Sequence, residues 1–172
     1  VLAREGGEIP RELVQALSLS DDPETSLKAP LGVIKRCAWA DPLKLDDVKA
    51  VSRALDCTVN DVLLACAAGA LRSYLIECGE DVDGLTLRAT VPVNLRPLEH
   101  AKKLGNHFGL VFLKLPVGEP NPVARVRHVA DNMNRIKSSR QAIMTFGALA
   151  ALGMTPTPVQ RMALDLFSRK AT

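Results

Sequence analysis

Apolar residues at Val59, Val62, Leu63, Cys66, Ala67, Ala70, Leu71, Tyr74, Leu75 and Cys78 recur in steps of three and one, the spacing of one face of an α-helix. This pattern predicts a helix from Val59 to about Cys78. The opposite face, Leu64, Ala65, Ala68 and Gly69, is apolar as well, and no charge falls between Asp61 and Arg72. The first three turns are therefore expected to be buried on every side. At the head, Thr58 and Asp61 have the spacing of a capping box, in which the hydroxyl accepts from the third helical amide and the acidic side chain reaches back. That gives Asp61 a structural task. Asn60, one position earlier, has no local duty and sits at the positive end of the helix, which makes it the first candidate for a functional group.

The rest of the chain alternates the two periods. Residues 1–30, with Gly6-Gly7, Pro10, Asp21-Asp22-Pro23 and Pro30, read as a linker or crossover segment ahead of a domain over 31–172. Val33 to Trp39 suits a strand with mixed faces, closed by Asp41-Pro42. Leu45, Val48, Val51 and Leu55 mark an amphipathic helix opened by Asp46 and Asp47. Leu85, Leu87, Ala89 and Val91 alternate with polar residues as a half-buried strand, ending in Pro92-Val93-Asn94-Leu95-Arg96-Pro97, where the prolines hold Asn94 and Arg96 at a strand end. After a loop over 99–106, Phe108 to Leu115 is an almost continuous apolar run, the pattern of a strand covered on both faces. Pro122 to Ser138 is amphipathic, with Arg125, Arg127, His128, Arg135 and Lys137 on the outer side. Ala142 to Met154 is apolar all round, and a last amphipathic segment follows Pro156 and Pro158. The order of elements implies an α/β domain, a mixed sheet with packed helices.

Composition narrows the partners. The 172 residues suffice for one domain with a core, and 47% hydrophobic with 24% charged content is that of a globular chain. A net charge of +3 with only 3% aromatics gives no support for nucleic acid, which would call for aromatic stacking platforms among the basic residues. The four cysteines, Cys37, Cys57, Cys66 and Cys78, have no metal-ligand spacing and are expected as free, mostly buried thiols of a reducing, cytoplasmic compartment. No secretory signal and no apolar run long enough to cross a bilayer is evident. The chain opens at Val1 and stops just after an amphipathic pattern, so it reads as a piece of something longer.

No phosphate loop, dinucleotide motif, nucleophile elbow or metal site is present. Of the three histidines, His100, His107 and His128, only His107, beside Asn106 at a strand start, stands as a candidate, against the reading of a loop histidine without a role. The basic side of 122–138 could meet phospholipid or a phosphorylated cofactor, or be a solvated face. Ala142 to Met154 is core or a lipid-facing surface.

Thr58-Val59-Asn60-Asp61-Val62-Leu63-Leu64-Ala65, Gly69-Ala70-Leu71-Arg72, Val91-Pro92-Val93-Asn94-Leu95-Arg96 and Leu104-Gly105-Asn106, in that order, resemble the bacterial wax ester synthase/diacylglycerol acyltransferase family. The resemblance extends from about Pro30 to the C-terminus. It implies a fold like that of the chloramphenicol-acetyltransferase superfamily, two related α/β halves enclosing a tunnel, with this chain as most of the C-terminal half. It implies transfer of a fatty acyl group from acyl-CoA to diacylglycerol or a long-chain alcohol, with acyl-CoA as co-substrate and no other cofactor or metal. The family's general base is the second His of an HHxxxDG motif in the N-terminal half, which would be the partner of this chain; neither that motif nor the later Asn-Val-Pro-Gly-Pro element occurs here. Alone, the piece is expected to be inactive. Carried over by residue, Asn60 and Asp61 match a motif with a supporting active-site role, and Asn94, Arg96 and Asn106 are substrate-side candidates that could equally be turn-forming groups. Peripheral attachment to a membrane or lipid droplet is a further implication. Two readings compete with the enzyme: a non-catalytic acyl-binding or interaction module, and a condensation-type acyltransferase acting on carrier-bound substrates.

Overall fold

A computed structural model of the chain describes residues 20–28, 32–96, 107–139 and 141–171. Five α-helices and two strands lie within them: α1 (Leu45–Ala54), α2 (Val59–Glu77), β1 (Leu87–Asn94), β2 (Phe108–Leu115), α3 (Pro122–Ser138), α4 (Gln141–Gly153) and α5 (Thr157–Lys170). The strands form a two-stranded antiparallel sheet, extended by one bond beyond β1 where Leu95 N donates to His107 O at 3.0 Å. Helices with a sheet agree with the α/β expectation. Pro92, inside β1, lacks the N–H a central strand would need and is tolerated because a two-stranded sheet has only edges.

The described residues divide into two compact units. One is built on 22–88 and 114–134, and its buried residues are Val62, Ala65, Ala68 and Leu75 of α2, Val82, Leu87, Leu115, Val117, and Val126, Val129 and Met133 of α3. α1 packs beside α2. Both helices end in Schellman geometry. Glu80 N bonds Leu75 O and Gly79 N bonds Ile76 O with Gly79 at φ 80°, and Cys57 N bonds Ser52 O and Asp56 N bonds Arg53 O with Asp56 at φ 50°. Asp22, 2% exposed, accepts from Arg88 N at 3.0 and 3.1 Å and pairs with Arg88 Nε at 3.4 Å, which fastens the segment before α1 to β1.

The turn between β2 and α3 is held by two arginines. Arg72 Nη1 donates to Gly118 O at 3.0 Å and Val117 O at 3.3 Å. Arg125 donates from Nε and Nη2 to Glu119 O at 3.0 and 2.8 Å, and from Nη2 to Pro120 O at 3.2 Å. Arg125 thus turns inward, off the outer basic face where the sequence placed it. Its Nη1 lies so close over Gly69 that a β-carbon there would collide with it. This is why a helix tolerates glycine at that position despite a cost of about 0.5–1 kcal/mol.

The second unit is drawn from 20–21, 89–96, 107–113, 135–139 and 141–171, with Val111, Phe112 and Leu113 as its buried apolar strand residues. α4 approaches β2 closely. Thr145 Oγ1 donates to Leu110 O at 2.6 Å, and a β-carbon at Gly109 would meet the backbone of Ala142. α5 packs beside α4 and sets Phe167 on Phe112, ring centroids 6.0 Å apart. Lys170 pairs with Asp21 at 3.0 Å.

Several expectations need correction. Residues 33–39 form no strand: the segment is exposed throughout, with Val33 at 97% and Trp39 at 90%, because alternation without a neighbouring strand to complete a ladder does not make a sheet. α2 is not buried on all sides. Leu63, Cys66, Ala67, Ala70 and Tyr74 are exposed, since its packing partners lie only along the Val62–Ala65–Ala68–Leu75 side. The thiols are free as expected but not mostly buried; Cys37, Cys66 and Cys78 are exposed. Ala142 to Met154 is not core either, for Thr145 is the buried residue of α4 and Ile143 and Met154 are exposed. α2, with 19 residues and a mean hydropathy of 1.3, is long and apolar enough to cross a membrane, although no such run was expected. Its two charged residues short of the C-terminal turn, Asp61 and Arg72, are held by partners within the protein.

Candidate functional site

The head of α2 is built by its N-cap. Thr58 is extended at φ −84°, ψ 157°, and its hydroxyl accepts from Asp61 N at 3.2 Å. Asp61 Oδ2 accepts in return from Thr58 N at 2.9 Å and from Thr58 Oγ1 at 2.7 Å. The hydroxyl therefore donates and accepts at once. Asp61 is 2% exposed, and its second oxygen, Oδ1, is buried with no donor among the described residues. A buried carboxylate oxygen without a partner is uncommon and costly, so this atom marks a point of unmet polarity directly beneath the helix head.

Burial, followed by the negative charges of Asp61 and Asp56, raises the pKa of the neighbouring Cys57 thiol. The shift disfavours its thiolate. Its carbonyl accepts from Ser52 Oγ at 2.5 Å, which ties the end of α1 to the start of the cap.

Asn60 lies between the two capping residues and is exposed, and its side-chain amide has no partner among the described residues. The capping box fixes the backbone on either side, so the amide is presented outward at the positive end of a 19-residue helix. Below it Leu63, Ala67, Ala70 and Tyr74 follow at helical spacing, an exposed apolar line with no charge. Chemically the arrangement offers a neutral amide donor and the helix dipole to an oxygen that gains negative charge, beside a surface suited to hydrocarbon. It contains no general base.

Asn94, Arg96 and His107 lie in the second unit. Asn94 ends β1 and is exposed, and its Oδ1 accepts from Arg96 N at 3.0 Å, an Asx turn; Arg96 is half-buried. His107 is exposed at the start of β2, with its ring 5.7 Å from that of Phe146. Asn106 lies outside the described residues. Among the described residues no three His, Cys, Asp or Glu side chains come together as a metal site. An open pocket of about 560 Å³ lies on α5, lined by Thr157, Pro158, Arg161, Met162 and Asp165, and includes none of the candidates. Sequence reasoning missed the unpartnered Oδ1 of Asp61 and the arginine pair at the 117–120 turn. A helical glycine three residues before an arginine was the one available signal for the latter.

Two family models match the chain, between them covering well over half of it. Residues 2–63, which include the cap and Asn60, match the wax ester synthase/diacylglycerol acyltransferase catalytic domain, and residues 104–172 match the C-terminal domain of the same family. The chain belongs to the wax ester synthase/diacylglycerol acyltransferase family. Similar members include "Probable diacyglycerol O-acyltransferase tgs1" of Mycobacterium tuberculosis (strain ATCC 25618 / H37Rv), 33% identical over 145 residues, which is 84% of this chain and 31% of the relative. "Probable diacyglycerol O-acyltransferase tgs2" of the same strain is 38% identical over 136 residues, 78% of this chain and 30% of the relative. The chain thus spans about a third of the length of the curated acyltransferase relatives it matches. No solved structure matches it.

Proposed function

We propose that this chain is part of an O-acyltransferase that moves a fatty acyl group from acyl-CoA to diacylglycerol or a long-chain alcohol, giving triacylglycerol or wax ester. The observation that carries the reading is the head of α2: a capping box that immobilises the backbone and presents the free amide of Asn60, within the part of the chain that matches the family's catalytic domain. The acceptor hydroxyl oxygen attacks the thioester carbon, the carbonyl oxygen takes up negative charge, and the carbon–sulfur bond breaks as the thiol leaves with a proton. Asn60 Nδ2 donates to that carbonyl oxygen as its charge develops. Asp61 is a positioning residue, acting through Thr58 and the first turn of α2. The proton of the attacking hydroxyl is taken by a base contributed from outside this chain, the second His of an HHxxxDG motif by family resemblance. The same resemblance supports a chloramphenicol-acetyltransferase-like half as the architecture. Asn94, Arg96 and Asn106 are assigned to the substrate side, and acyl-CoA serves as co-substrate with no further cofactor.

The test uses the longest natural polypeptide that contains these residues, supplied with long-chain acyl-CoA and either hexadecanol or diacylglycerol, with release of CoA as the readout. Acceptor-dependent release is expected. Asn60→Ala should lower kcat by about 10²–10³-fold, the loss of one oxyanion donor, with an unchanged melting temperature. Retained turnover removes the role from Asn60, and the absence of acceptor-dependent release with both acceptors removes the enzyme reading. The exposed apolar line below Asn60 favours one alternative, a non-catalytic acyl-binding module. That module would bind acyl-CoA without releasing CoA.

A further inference from the structure

We infer that Arg72 and Arg125 form a binding site for a phosphoryl dianion. Both side chains are half-buried, and every hydrogen bond they make goes to a neutral backbone carbonyl of the 117–120 turn. Among the described residues no carboxylate lies within ion-pair distance of either. The acidic side chain of the turn itself is engaged elsewhere, since Glu119 Oε1 accepts from Asn121 N at 2.8 Å. Two guanidinium charges thus sit on one turn without neutralisation. Positive charge removed from water usually carries a counter-charge, because carbonyl dipoles compensate the lost hydration only in part.

The donors left unused follow from the bonds already made. Arg72 bonds the carbonyls through Nη1, so its Nε and Nη2 remain as the parallel two-nitrogen edge that binds oxyanions in bidentate fashion. Arg125 bonds through Nε and Nη2, so its Nη1 remains, and that nitrogen lies over Gly69, one helical turn before Arg72 on α2. A fork from one arginine and a single donor from the other suit a group with three acceptor oxygens and a double negative charge. A carboxylate would occupy the fork and leave Nη1 of Arg125 without a partner. The amides at the start of α3 are not part of the site, because Asn121 Oδ1 already accepts from Val123 N and Ala124 N.

Phosphoryl groups of this kind occur on the nucleotide portion of a CoA thioester and on phosphomonoester lipid headgroups. The site is defined by its own geometry and does not depend on the acyl-transfer reading.

The experiment follows the arginine side-chain Nε–Hε signals by ¹⁵N NMR at low ionic strength in the longest natural polypeptide. The additions are inorganic phosphate, adenosine 3′,5′-bisphosphate, vesicles of phosphatidic acid in phosphatidylcholine, and chloride as control. The Arg72 signal, assigned by its disappearance in Arg72→Lys, should move saturably with phosphate and not with chloride. Arg72→Lys keeps the charge and loses the fork, and should weaken phosphate binding about tenfold, read from a backbone amide of the 117–120 turn. Stronger binding of the bisphosphate than of phosphate would identify a nucleotide source, and a response confined to the vesicles a lipid source. Absence of a saturable shift with all three probes, an equal response to chloride, or unweakened binding by Arg72→Lys would overturn the site. If Arg72→Lys does not fold, the wild-type titration, with the signal assigned by triple-resonance correlation, decides alone. CoA release, the readout of acyl transfer, is independent of these outcomes.

Discussion

β2 and the outer side of α2 are almost equally apolar in sequence, yet one is enclosed and the other faces outward. In β2 the face of Gly109, Val111, Leu113 and Leu115 is covered along its whole length, whereas the other face, expected to be covered too, is buried only at Phe112, with Phe108 and Lys114 exposed. On α2 the line Leu63, Ala67, Ala70 and Tyr74 stays exposed while Val62, Ala65, Ala68 and Leu75, on the other side of the same helix, are enclosed. Apolar content therefore sets how much surface is available for burial, and the neighbouring elements set which part of it is buried. An apolar helix face left open, without a charge along several turns, is surplus to what holds this unit together.

The sharpest break of that comparison is a pair of truncations. Leu113→Ala should cost about 2–5 kcal/mol in urea unfolding, since Leu113 is fully enclosed. Leu63→Ala, at 45% exposure, should cost under about 1 kcal/mol. Equal losses would mean that the outer face of α2 is covered in solution.

A smaller effect is expected at the helix head. Thr58→Ala removes the hydroxyl that both donates to Asp61 Oδ2 and accepts from Asp61 N, and should cost about 1–2 kcal/mol by thermal unfolding. Thr58→Ser should restore most of it. A neutral Thr58→Ala would show that the capping box contributes nothing to the position of Asn60.

The smallest effect concerns two thiols, Cys57 just before α2 and Cys66 within it. Burial first, then Asp61 and Asp56, hold the Cys57 pKa above its ordinary value, and alkylation requires the thiolate. Near pH 8, iodoacetamide should therefore modify exposed Cys66 faster than Cys57, and the gap should narrow as the pH rises. Because the folded-state pKa is raised, whatever stability Cys57 contributes through its protonated form is complete below the ordinary thiol pKa. It is lost as the pH climbs through the raised value. Slow modification of Cys66 would again indicate a covered outer face.

Much of this architecture was legible from spacing alone. The cap at Thr58, the helix from Val59, the amphipathic helix after Leu45, the apolar strand from Phe108 and the proline-led helices all follow local rules, because caps, periodicity and proline act within a few residues. The errors share a different cause. Whether Val33–Trp39 pairs as a strand, which side of α2 is enclosed, and whether α4 is core are decided by what lies opposite, and no local pattern encodes that. The site divides in the same way. Asp61 as a cap could be read from its distance to Thr58, whereas its unpartnered Oδ1 is a property of the surrounding packing. Arg125 looked like one more outer basic residue, and only the turn carbonyls and the space above Gly69 explain why it folds inward.

Gly109 lies where α4 rests its first turn directly on the strand, with the carbonyl of Ala142 in the volume that any side chain would occupy. The position acts as a spacer gauge. A family member with alanine or anything larger there must hold the corresponding helix farther from its strand, and would lose the short bond from Thr145 to Leu110 O in the process. The identity of this one residue should therefore sort relatives into those that keep the helix seated and those that lift it, before any of their structures is known.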